Sequence, residues 1–75
     1  MEKLLVASVR NEIDVLMRVS GLIRRKGFGM KSIHMEVCSD KIANLIITLS
    51  CNDKCPDQLV NQIKKYNDIY KINLM

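Results

Sequence analysis

Along this chain the spacing of apolar residues switches between a period of two and a period of about 3.6, in the order strand, helix, strand, strand, helix, strand. That order leaves few folds open. Lys3 to Val9 (KLLVASV) is apolar, partly β-branched and too short for a helix, so it reads as a strand. Leu5, Ala7 and Val9 share one of its faces and Leu4, Val6 and Ser8 the other, and apolar side chains on both faces suit a central strand. Arg10 to Asp14 is a polar turn in which Asn11 or Asp14 is the expected N-cap of the next element. Val15, Leu16, Val19, Leu22 and Ile23 then fall on one face of an α-helix, and Gly27 ends it.

Met30 to Cys38 alternates, with Ile33, Met35 and Val37 on one face and Ser32, His34 and Glu36 on the other. After the polar turn Ser39-Asp40-Lys41, Ala43 to Ser50 alternates again with Ala43, Leu45, Ile47 and Leu49 inward, which makes a hairpin. Pro56 suits the first position of a second helix, whose short stripe is Leu59, Val60 and Ile63 and which ends at Asn67-Asp68. Ile69 to Leu74 is the last strand, with Tyr70, Ile72 and Leu74 expected on its inner face. Right-handed crossovers turn βαββαβ into a four-stranded antiparallel sheet with both helices on one face, the α+β ferredoxin-like arrangement. No linker or low-complexity stretch interrupts residues 1–75, so one domain is expected.

At 75 residues the chain buries only about 60% of its unfolded surface, so association with another chain would help it. The core must be aliphatic, because Phe28, Tyr66 and Tyr70 are the only aromatics. The net charge of +4 favours an acidic partner without singling out nucleic acid. Its densest runs, Arg24-Arg25-Lys26 and Lys64-Lys65, fall in last helical turns, where cations suit the negative end of the helix dipole. Cys38, Cys51 and Cys55 are an odd number and no leader precedes them, which points to free thiols in a reducing cytoplasm. The longest apolar run, Leu4 to Ala7, is far short of the ~20 residues of a membrane span.

Catalytic groupings are missing from the sequence, and an enzyme is not expected. His34, the only histidine, alternates onto a sheet face with Ser32 and Glu36. Cys51 and Cys55 have neither a second ligand pair nor a histidine at zinc spacing, and no phosphate-binding glycine motif occurs. Arg10 and Asn11 alone do not make the phosphate cradle of an acylphosphatase-type enzyme on this fold. Lys26-Gly27-Phe28-Gly29 looks like the opening of an RNA-recognition signature, but it leads the second strand instead of the third. The open face, with Ser32, His34, Asn44, Ile46 and Thr48, lacks stacking aromatics, so nucleic-acid binding is not expected.

The stretch Asn11-Glu12-Ile13-Asp14-Val15-Leu16, followed by Arg18-Val19-Ser20-Gly21-Leu22 and the basic end before Gly27-Phe28, resembles the ACT domain. Within that superfamily it is similar to the small regulatory subunits of acetohydroxyacid synthase, of the short single-domain type. Gly29 to Met35 (GMKSIHM) aligns with the second strand of that family. The resemblance implies subunits paired through sheet edges, with a small amino-acid effector between the first strand–helix turn of one subunit and the second strand of the other. On this chain the effector positions are Asn11, Glu12, Ile13, Asp14, Val15, Gly29 and Met30. The family's valine-sensitive members carry an asparagine and a glycine in the turn and an asparagine at the strand. Here Asn11 is kept, Asp14 replaces the glycine and Gly29 replaces the second asparagine.

Asp14 obstructs close backbone approach and sets a carboxylate near an effector carboxylate, and Gly29 removes a donor and an acceptor. Weak or absent valine feedback follows as an expectation. Leu4, Val6 and Ile46, with Ser32 and His34 beside them, should lie on the sheet face away from the helices and serve a partner such as a synthase catalytic subunit. The resemblance assigns flavin, thiamine diphosphate and magnesium to that catalytic subunit, and no cofactor to this chain. A stand-alone amino-acid sensor is the alternative, and it should gain thermal stability with its ligand.

Overall fold

The computed structural model describes residues 2–51 and 55–75. Its elements are β1 (Glu2–Arg10), α1 (Ile13–Arg25), β2 (Gly29–Val37), β3 (Ile42–Ser50), α2 (Asp57–Lys64) and β4 (Ile69–Leu74). The strands form one antiparallel sheet in the order β2-β3-β1-β4, the ferredoxin-like arrangement. Leu5, Ala7 and Val9 of β1 and Ala43, Leu45, Ile47 and Leu49 of β3 are buried, as their alternation requires. Val15, Val19, Leu22 and Ile23 from α1, with Leu59 and Ile63 from α2, close the core over that face.

Gly27 ends α1 by a specific geometry. It stands at φ 83°, where an L side chain is strained. The Phe28 N–H donates to the Ile23 carbonyl (3.2 Å) and the Gly27 N–H to that of Arg24 (3.0 Å), the paired bonds of a Schellman turn. Phe28 and Ile23, the residues such a turn brings together, both belong to the core. Gly27→Ala should cost about 1–2 kcal/mol, seen as a lower urea midpoint at unchanged slope.

The helix starts differ from expectation. Glu12, in extended conformation, is the N-cap of α1, and no side chain caps the helix there. Asn11 is drawn away to the β2–β3 turn, and Asp14 lies inside the first helical turn, where its charge still suits the dipole. Pro56 is the N-cap of α2 instead of its first residue, with the Val60 N–H donating to its carbonyl at 3.0 Å. The helix ends at Lys64, ahead of Asn67-Asp68.

Two strands carry surprises. Ile33, Met35 and Val37 pair with Ile47, Leu45 and Ala43, so they do face the helix side. But β2 is an edge that the helices cover only in part: Met30 and Met35 are half-buried against the core, whereas Ile33 is 43% and Val37 62% exposed. In β4 the register slips against β1, so that Ser8 pairs with Lys71 and Val9 with Ile69. This bulge turns Ile69 toward the core and Tyr70 outward, 55% exposed, which reverses the inward placement expected for Tyr70. Beyond β4, Met75 and Leu4 exchange backbone hydrogen bonds of 2.9 and 2.7 Å. Near the opposite edge, Lys31 reaches Glu2, and this bonded ammonium holds the Glu2 carboxyl below the usual carboxylate range.

Candidate functional site

The turn between β1 and α1 is held from three directions. The Arg10 N–H donates to the Asp68 carbonyl (2.9 Å) and the Asn11 N–H to that of Lys41 (3.0 Å). The Asn11 side-chain amide also donates to the carbonyls of Ser39 and Asp40, each at 3.3 Å. Asp68, mostly buried, accepts from Arg18 at 2.7 Å and lies 3.6 Å from Arg10, which meets Glu12 at 3.1 Å. Arg18 in turn stacks 5.7 Å from the Tyr66 ring centre. These contacts fix the turn.

A recess of about 440 Å³ opens here, lined by Arg10, Asn11, Glu12, Asp40, Lys41 and Tyr70. Its charges alternate in sign, so no net field selects an anion or a cation. Sequence reasoning missed Asp40, Lys41 and Tyr70. Only the hairpin register and the β4 bulge bring them to the turn, and neither is visible in local periodicity.

The expected effector residues divide into separate groups. Asn11, Glu12, Ile13 and Asp14 lie together at the turn, with Ile13 62% exposed. Val15 is 1% exposed and belongs to the core, so its side chain cannot touch an effector. Gly29 and Met30 are at the other end of the sheet. Glu2 and Gly29 both pair with Ser50, whereas Arg10 pairs with Ile42. That separates Gly29 from the turn by roughly 25–30 Å within one protomer. A Cβ at Gly29 would lie 3.3 Å from that of Ser50, tighter than ordinary contact.

Across the sheet, the open face is ordered in rows. His34, Ile46 and Val6 are successive cross-strand neighbours, and so are Ser32, Thr48 and Leu4. Leu4, Val6 and Ile46 are half-buried, and Ser32 and His34 are exposed. The Ser32 hydroxyl donates to Thr48 at 2.8 Å, and His34 lies 3.4 Å from Glu36. Cys38 and Cys55 are exposed and Cys51 buried, all as thiols, and the segment between the last two lies outside the described residues. No cluster of metal-ligating side chains occurs among the described residues, and no described helix is long and apolar enough to cross a membrane.

An antiparallel βαββαβ sheet with a braced strand–helix turn and an uncovered edge defines a small α+β domain of the ferredoxin-like class. The chain belongs to the ACT domain family, whose model matches residues 11–72. It is 30% identical over 74 residues to the probable acetolactate synthase small subunit of Archaeoglobus fulgidus, a match covering 97% of this chain and 46% of that protein. The acetolactate synthase small subunit of Thermotoga maritima superposes with a TM-score of 0.80 at 28% identity, over 99% of this chain and 47% of that one. The C-terminal domain of the MgtC protein from Mycobacterium tuberculosis has the same fold, with a TM-score of 0.83 at 14% identity, over 99% and 84% of the respective chains. This chain therefore spans about half the length of the synthase small subunits it matches.

Proposed function

We propose that this ACT domain is a non-catalytic regulatory subunit of acetohydroxyacid (acetolactate) synthase whose response to valine is weak or absent. The observation that carries this reading is the committed state of the turn. Both Asn11 amide contacts go to the Ser39 and Asp40 carbonyls, and Asp14, three residues on in the first turn of α1, is exposed. An amino-acid carboxylate arriving there finds Arg10 and Lys41 offset by Glu12 and Asp40, a further like charge on Asp14, and no free amide N–H from Asn11. Kinship with two synthase small subunits supports the choice of partner.

Self-association belongs to the same reading. A second copy paired antiparallel along β2 would set its Gly29 beside the Val37 end of the first. From there it approaches the hairpin turn that Asn11 holds. The two halves of the effector position meet only between protomers in this arrangement. It also covers Ile33 and Val37, the apolar side chains left exposed along β2. The open face with Leu4, Val6 and Ile46 then remains for the catalytic subunit.

Mixing the chain with the purified catalytic subunit should give a stable complex with raised synthase activity, and no complex at tens of micromolar would refute the partner. Calorimetric titration with valine, leucine and isoleucine should give no binding in the micromolar range. Asp14→Gly should strengthen any residual valine binding by about five- to tenfold, since it removes one carboxylate repulsion. Tight valine binding to the unaltered chain would overturn the account of the turn. A rise in melting temperature with another amino acid, without a synthase complex, would favour the stand-alone sensor.

A further inference from the structure

The outer face of α1 points to solvent. Met17, Arg18, Gly21, Arg24 and Arg25 line an open trough of about 630 Å³ along it. Met17 contributes an apolar side chain to it, 64% exposed. Gly21 leaves a notch: a Cβ built there would meet nothing within 4 Å. Nothing in packing or backbone conformation requires glycine at that point, and glycine weakens a helix interior.

Every charged side chain that lines the trough is positive, with Arg18 paired to Asp68 at its edge. Residues 15–35 hold five cations and no carboxylate, whereas the rest of the chain holds seven cations and eight carboxylates. The whole excess of +4 therefore arises from α1 and the start of β2. Arg18 is held in place by Asp68 and Tyr66, while Arg24 and Arg25 enter no ion pair among the described residues. Arg18 and the Arg24–Arg25 pair lie about 9–10 Å apart along the helix, with the notch between them.

We propose that this trough is a docking site for an acidic segment of a partner protein, carrying an apolar side chain flanked by carboxylates. The apolar side chain enters the notch over Met17, and the carboxylates meet guanidinium groups on either side of it. A nucleic acid fits worse, because the trough has cations but no aromatic surface on which a base would stack. The site does not depend on the synthase reading, since it follows from α1 alone.

The probe is a fluorescein-labelled peptide in which leucine is flanked on each side by glutamate pairs, followed by fluorescence anisotropy. The chain should bind it with salt-sensitive affinity, and Arg24→Glu with Arg25→Glu together should weaken binding by about tenfold or more. Gly21→Leu, which fills the notch with a better helix former, should keep the fold and weaken the peptide by a similar factor. A peptide of equal charge with glycine in place of leucine should bind less tightly and ignore the Gly21 change. No peptide binding at millimolar concentration overturns the proposal, as does binding indifferent to the arginine or Gly21 substitutions. Tighter retention of a single-stranded oligonucleotide than of the peptide would overturn it in favour of nucleic acid.

Discussion

Ile47→Ala is expected to remove about 3–5 kcal/mol of folding stability, whereas Ile46→Ala, one residue earlier, should cost less than about 1 kcal/mol. Ile47 lies in the middle of β3, fully buried and paired with Leu5 on one side and Ile33 on the other. Its truncation removes buried methyl groups and leaves a cavity that a sheet fixed on both sides cannot collapse. Domains are stabilised by about 0.05–0.15 kcal/mol per residue, so this loss is a large part of what so short a chain has. Ile46 is half-buried on the open face, where its partners are Val6 and His34. Urea denaturation of both variants distinguishes the registers. A slip of one residue would exchange the two effects, because neighbouring side chains of a strand lie on opposite faces.

The second large effect concerns association. Ile33→Lys with Val37→Lys should leave the fold intact and weaken self-association by at least about a hundredfold. Both side chains are exposed in the protomer, so replacing them opens no cavity. At a two-fold interface each substitution counts twice, and the lysine at position 33 would face its own copy without a carboxylate. Sedimentation equilibrium across micromolar concentrations measures the change. A chain that is monomeric before substitution, or equally associated after it, would rule out pairing through β2. The corresponding change at the other edge, Tyr70→Lys, should have little effect.

The contrast between strands shows what local sequence carries. Leu5, Ala7, Val9 and Ala43 to Leu49 could be assigned to the core from alternation alone, because β1 and β3 are central and covered along their length. The α1 stripe and Gly27 were equally legible, since a helix face and a left-handed stop are local properties. Ile33 and Val37 alternate just as cleanly. Whether a helix covers them depends on strand order, which periodicity does not contain. Tyr70 was misplaced because a bulge changes which residues are counted as inward, and only pairing with β1 reveals it.

The candidate site was readable in part. The turn residues Asn11 to Asp14 stand together as expected, because they are consecutive. Their separation from Gly29 follows from the long-range pairing of β3, with Gly29 at one of its ends and Arg10 at the other. Nor does composition show that Asn11 has spent its amide on a hairpin 28 residues away. A polar residue in a turn looks equally available whether or not the fold has already satisfied it.

The ladder between β1 and β4 has unequal ends. At one, the terminus is held by the Met75–Leu4 backbone bonds and the half-buried Leu74, with no ion pair among the described residues. At the other, a backbone bond from Arg10 is reinforced by the Asp68 carboxylate and two arginines. Fraying therefore starts at the terminus and proceeds like a zipper toward the braced end. The turn at Asn11 is anchored beside the last tooth to open, so the final strand can loosen over most of its length while the turn keeps its shape.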